Sequence, residues 1–165
     1  MLSALRKFCG FINTVYTYVA VVLLIAIIVA SALQVFTRYV LNASMIGTEE
    51  FARFCFIWMS MLGGSVCVAK GAHPAVTVIS DLLRNVPRAV LEILIQLLII
   101  LCALIFLYYG GKLLPVTIKS NSPTLGIRMD LVYWSLPVGG AGMILNAVAN
   151  ILGKIMSAGE GRAEA

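Results

Sequence analysis

Residues 8–37 read FCGFINTVYTYVAVVLLIAIIVASALQVFT, thirty positions without one charge. This run decides the fold class. A bilayer's hydrocarbon core is about 30 Å thick, and a helix rising ~1.5 Å per residue crosses it in roughly 20 apolar residues. Backbone amides there find no water and must bond within their own segment, which selects a helix. Arg6 and Lys7 precede the run, and Ala30-Ser31-Ala32 resembles a cleavage site. Length argues against a secretory signal, whose apolar region holds about 7 to 15 residues. An uncleaved first span is expected.

Outward from this run, residues 54–69, 93–111 and 131–153 are also uncharged. The expected fold is an all-α integral membrane protein with four transmembrane helices in a single membrane domain covering 1–165. The spans fall at about 15–39, 51–69, 89–111 and 131–152, followed by a tail at 154–165. Tyr16, Tyr18 and Tyr39 suit interfacial anchors for the first span, and residues 8–14 either extend it or lie on the surface. Pro137 removes an amide donor and predicts a kink in the fourth. Tyr108, Tyr109, Tyr133 and Trp134 are expected at one interface.

Between the second and third spans the pattern turns two-faced. Thr77, Ser80, Asp81, Arg84, Asn85 and Arg88 recur at helical spacing, with Val76, Ile79, Leu82, Leu83 and Val86 between them. Pro74 suits a helix start, and Pro87 biases Val86 away from helix. A short amphipathic helix over 75–86, lying in the membrane surface, is expected. Lys70, Arg84 and Arg88 are its candidate contacts to anionic lipid headgroups.

Composition excludes several functions. The chain is 61% hydrophobic and only 12% charged, against roughly 25% charge in an ordinary soluble domain. A net charge of +5 invites a nucleic-acid reading, but the twelve basic residues are scattered at the ends of apolar runs, where they suit headgroups and orientation. Seven Lys and Arg fall on the side of the two termini and five on the other, which puts both termini in the cytoplasm. Cys9, Cys55, Cys67 and Cys102 form no C-x-x-C pair and read as small buried apolar residues. With His73 the only histidine, neither a paired-histidine haem nor a histidine-rich metal centre is expected, and no cofactor is assigned.

An ion-coupled pump or intramembrane enzyme needs ionisable groups near the midplane. Arg38, Glu49, Glu50, Arg53, Glu92 and Asp130 all fall near span ends instead. Glu49, Glu50 and Arg53 form a cluster at the start of the second span, where the acids suit the helix dipole and pair at helical spacing. The fourth span carries a stripe of small and amide residues, Ser135, Gly139, Gly142, Asn146, Asn150 (or Ala149) and Gly153. Such a stripe is a packing face. Spacing leaves open whether it packs within the chain or against another protein. Ser60, Gly63 and Gly64 make a weaker face on the second span.

The run EEFARFCFIWMSMLGGSVCVAKGAHPAV at 49–76, with its two acids, Trp58, glycine pair, basic residue and His73, resembles the small membrane subunit of tripartite ATP-independent periplasmic (TRAP) transporters, the DctQ family. Arg38-Tyr39, the Ser122–Ile127 run SPTLGI, and Tyr133 followed by Pro137 and Gly139-Gly140 extend the likeness over about 11–152. The resemblance implies a non-enzymatic scaffold in a bacterial inner membrane, beside a large subunit that holds substrate and sodium and moves like an elevator to import an organic acid. It also implies a periplasmic substrate-binding protein as a partner, with Lys119, Ser120, Asn121 and Arg128 of the external connection as candidate contacts. The chain departs from the family pattern with Arg128-Met129 where proline often follows the glycine-isoleucine pair. A self-sufficient small oligomeric transporter or channel is the alternative.

Overall fold

The computed structural model describes residues 2–42, 46–71 and 88–163. Among these, α1 spans Leu2–Tyr39, α2 Ile46–Lys70, α3 Arg88–Thr117, α4 Asp130–Tyr133 and α5 Ser135–Ala163. Four helices, counting α4 and α5 as one interrupted span, are long and apolar enough to cross a membrane. The surface helix expected over 75–86 lies outside the described residues, as do His73 and Arg84.

Residues 8–14 continue α1 without a break, so the 38-residue helix is about 57 Å long and outreaches the hydrocarbon core. The third helix also runs further than its apolar stretch, through Lys112 to Thr117. Gly110 and Gly111 do not stop it, and Pro115 falls in its last turn, where it removes the bond an amide would have made to the Gly111 carbonyl and the helix ends two residues later. Thr117 Oγ1 then closes the end by donating to the Leu113 carbonyl at 2.9 Å. The connection between the third and fourth spans shrinks accordingly to residues 118–129.

The fourth span is interrupted at Trp134, three residues before Pro137. Proline therefore sits in the first turn of α5, where a missing N–H is harmless. The Trp58 indole on α2 donates to the Leu131 carbonyl at 3.1 Å, engaging backbone at the break. Gly110 lies so close to α5 that a Cβ there would stand 2.9 Å from Leu136 Cβ. This contact brings Tyr108 and Tyr109 to the same end as Tyr133 and Trp134, and the Lys112 ammonium sits 4.6 Å over the Tyr108 ring.

α1 packs on α2, α2 on α5, and α5 on α3. The centre of this arrangement is made of small residues: Ser65, Ala103, Ser135 and Ala147 have no exposed surface. Large side chains such as Phe11, Val22, Leu98 and Leu101 point outward. This inversion of a soluble core follows from the solvent. Lipid is as apolar as leucine, so burying leucine gains little, and close backbone approach between small residues holds the helices together. Of the cysteines expected to be buried, Cys9 and Cys55 are, whereas Cys67 and Cys102 face outward. In lipid an outward thiol loses no apolar contact, so composition alone could not separate the two pairs. Tyr16 is not an outward anchor either: its hydroxyl donates inward to the Val138 carbonyl at 3.1 Å.

Candidate functional site

The fourth-span stripe faces its own chain. A Cβ at Gly139 would lie 2.8 Å from Met61 Cβ and 3.1 Å from the Met61 carbonyl. At Gly142 it would meet Ser65 Oγ at 2.5 Å and the Tyr16 ring at 2.7 Å. One turn on, Asn146 is buried and exchanges hydrogen bonds with Asn13, each Nδ2 donating to the other's Oδ1 at 2.9 Å. Asn146 Nδ2 also reaches the Ser65 carbonyl at 3.0 Å and Ser65 Oγ at 3.2 Å. Asn150 Nδ2 donates to the Val68 carbonyl at 2.8 Å. Ser135, at the other end of the stripe, donates to the Val132 carbonyl at 2.7 Å. Three helices are thus joined through a polar seam of amides bonded across the helix contacts.

The second-span face divides. Gly64 packs inward, where an added Cβ would meet Met143 Cε at 2.8 Å. Gly63 has nothing within 4 Å, and Ser60 is exposed with its hydroxyl turned back to the Ile57 carbonyl. Ser60 and Gly63 instead line a shallow groove of about 420 Å³ with Thr17, Ala20, Val21 and Cys67, between α1 and α2 and open to the outside. Ser65, not Ser60, is the serine of the internal contact. The sequence signals that could have found the seam are Asn13, an amide inside an apolar run, and Ser65, the serine one step past the glycine pair.

At the opposite end from the chain termini, the acidic cluster also divides. Arg53 pairs with Glu49 at 3.0 Å, both largely exposed. Glu50 turns away and accepts the backbone N–H groups of Thr124 and Leu125, each at 3.2 Å. Within the connection, Ser122 N–H donates to the Ile127 carbonyl at 2.8 Å, and Met129 N–H to the Ser120 carbonyl at 3.0 Å. Gly126 holds the turn at φ 65, a conformation that costs glycine nothing. Arg128 clasps the buried Asp130 through two bonds of 3.0 and 2.7 Å. That hydrogen bond, with the adjacent charge, holds the Arg128 guanidinium above its usual pKa. The residue that departs from the family pattern therefore fastens the connection to the start of the fourth span. Lys119, Ser120 and Asn121 are exposed beside it. Lys70 is exposed at the end of α2, and Arg88 is the first residue of α3.

The described residues contain no cluster of three or more His, Cys, Asp or Glu that could hold a metal ion. The family profile described as tripartite ATP-independent periplasmic transporters, DctQ component, matches residues 27–156. The chain belongs to the DctQ family. Among curated proteins this DctQ chain is similar to the sialic acid TRAP transporter small permease protein SiaQ of Vibrio cholerae, 31% identical over 152 residues, or 91% of this chain and 85% of that one. It is also 30% identical over 128 residues to the sialic acid TRAP transporter permease protein SiaT of Haemophilus influenzae. That match takes in 78% of this chain but only 21% of SiaT. A DctQ-like part can therefore be one fifth of a much longer permease chain. The family is a transporter component, and the four apolar helices agree with a multi-pass bacterial membrane protein.

Proposed function

We propose that this DctQ chain is the stationary small permease subunit of a TRAP transporter, scaffolding a larger sodium-coupled elevator subunit that imports an organic acid. The observation that carries the reading is the division of labour along the helices. Between the ionisable residues near the span ends, the described interior offers small side chains and amides, of which Asn13, Asn146 and Asn150 are already bonded across helices and Gln96 alone keeps a buried oxygen without a partner. Such an interior neither binds a carboxylate nor moves a charge. What it does is hold α1, α2 and α5 in one arrangement, and an elevator needs surroundings that do not move with it. Buried helix area and interfacial aromatics such as Tyr108, Tyr109 and Trp134 oppose tilting of the stationary part.

The large subunit meets the groove of Thr17, Ala20, Ser60 and Gly63. Gly139 and Gly142 of the fourth span are already covered, whereas this groove presents small residues outward at helix-packing spacing. A large permease is the occupant because the SiaT match shows a DctQ-like part within one long permease chain. The connection at 118–129 faces the periplasm, with Lys119, Ser120 and Asn121 offered to the substrate-binding protein and both termini in the cytoplasm. The orientation rests on the Lys and Arg distribution.

Affinity purification from native membranes tests this. A one-to-one complex with a much larger membrane protein is expected, and Gly63→Leu is expected to reduce its recovery while leaving the small chain folded. Uptake of an organic acid by this chain alone in liposomes would refute the scaffold reading.

A further inference from the structure

Where α1 begins, α2 and α5 end and α3 sets out, the helices leave a cleft of about 610 Å³. Its polar lining is four amides, Asn13, Gln96, Asn146 and Asn150, and one ammonium, Lys70. No carboxylate lines it among the described residues. Asn13 and Asn146 satisfy each other, and Asn150 holds the Val68 carbonyl. Gln96 is different. Its side chain is on α3, only 6% of it is exposed, and its Oε1 has no hydrogen-bond partner. A buried acceptor without a donor carries a desolvation cost that nothing among the described residues offsets. The terminal torsion of a glutamine is soft, so its amide can turn toward the space it lines. At the rim, Lys70 and Gly71 are exposed, and Lys70 brings the cleft a positive charge that no carboxylate of the described lining meets.

The cleft thus asks two things of a ligand: an anion for Lys70 and a hydrogen-bond donor for Gln96. Its level is near the membrane surface, since Lys70 ends α2 and the lining lies within the first or last turns of the four apolar spans. Its volume lies within the roughly 300–1,000 Å³ of small-molecule sites. We infer that this cleft binds the headgroup of an anionic glycerophospholipid with free hydroxyls, the phosphatidylglycerol class, with phosphate on Lys70 and headgroup hydroxyls on the Gln96 amide and its neighbours. A hydroxyl both donates to Oε1 and accepts from an amide N–H, so it matches either face of the lining. A choline headgroup has no donor. An ethanolamine headgroup supplies one but sets a second cation beside Lys70 without a carboxylate to balance it. The inference does not depend on the transporter reading.

Native mass spectrometry of the full chain, loaded with dioleoylphosphatidylglycerol or dioleoylphosphatidylcholine, tests it. One phosphatidylglycerol is expected to be retained about tenfold more strongly than phosphatidylcholine, the combined effect of a net negative headgroup beside Lys70 and a hydroxyl donor for Gln96. Lys70→Gln, at the exposed rim, and Gln96→Leu are each expected to remove most of that preference. Thermal unfolding in phosphatidylcholine separates binding from folding: Gln96→Leu should be at least as stable as the parent, because it deletes the unpaired oxygen. Equal retention of the two lipids overturns the proposal, as does an undiminished preference in both variants. Displacement of the lipid by equimolar glycerol 3-phosphate also overturns it, since the cleft would then serve a soluble phosphate ester.

Discussion

Substituting alanine at Gly142 and at Gly63 should change stability in opposite directions, although both are helical glycines in membrane spans. At Gly142 the new methyl would stand 2.5 Å from Ser65 Oγ and 2.7 Å from the Tyr16 ring. Neither neighbour is a free end. Ser65 has no exposed surface and its Oγ accepts from Asn146, while the Tyr16 hydroxyl is tied to Val138. Overpacking of this kind costs about 1–3 kcal/mol. Displacing Ser65 also weakens a seam hydrogen bond, by about 0.6 kcal/mol in a membrane interior. Against this stands a gain of about 0.8–1 kcal/mol from replacing glycine within a helix. The balance is a loss of about 1–2 kcal/mol. At Gly63 no atom lies within 4 Å, so only the gain remains. Reversible unfolding of the purified chain in mixed micelles, followed by Trp58 and Trp134 fluorescence, measures both. If Gly142→Ala proves as stable as Gly63→Ala, the close contact of α5 with α2 and α1 is wrong.

Asn146→Leu should destabilise the chain by about 1–2 kcal/mol, and Asn13→Leu on that background should add little, because the two amides satisfy each other; the same unfolding assay run as a double-mutant cycle measures the coupling. Glu50→Ala should speed amide hydrogen exchange at Thr124 more than at Leu125, whose N–H keeps Ser122 Oγ as an acceptor, whereas Glu49→Ala removes only an exposed pair with Arg53 and should leave both amides protected. Arg128→Ala strands the buried Asp130 carboxylate, so limited proteolysis at 118–129 should accelerate, and Arg128→Lys should restore protection only in part because it cannot make the two-pronged contact.

The pattern of these effects shows what kind of information each level carries. The positions of four apolar runs were legible because a bilayer imposes one rule on every residue inside it, whatever its neighbours. Helix ends were less so: α3 passes Gly110 and Gly111 because Gly110 is pressed against Leu136 and Pro137, a contact that propensity does not contain. The small-residue stripe was visible as spacing, but spacing describes one helix, and the surface that answers it belongs to another. Spacing alone does not separate Ser65 from Ser60, because a helix in lipid has no polar outer face to mark inside from outside. Glu49, Glu50 and Arg53 read as one cluster along the chain. The fold separates them, since Glu50 alone lies within reach of the 124–125 amides.

By itself the sequence determined that this protein is a bundle of membrane helices with charge only at their ends, since hydrophobic length and missing midplane charge are properties of single segments. Only the tertiary structure decided which small residues are already occupied and which remain open: Gly139 and Gly142 are closed by Met61, Ser65 and Tyr16, while Gly63 meets nothing. The physical reason is that helices in lipid are held by backbone approach and paired amides, and both are relations between segments distant in sequence.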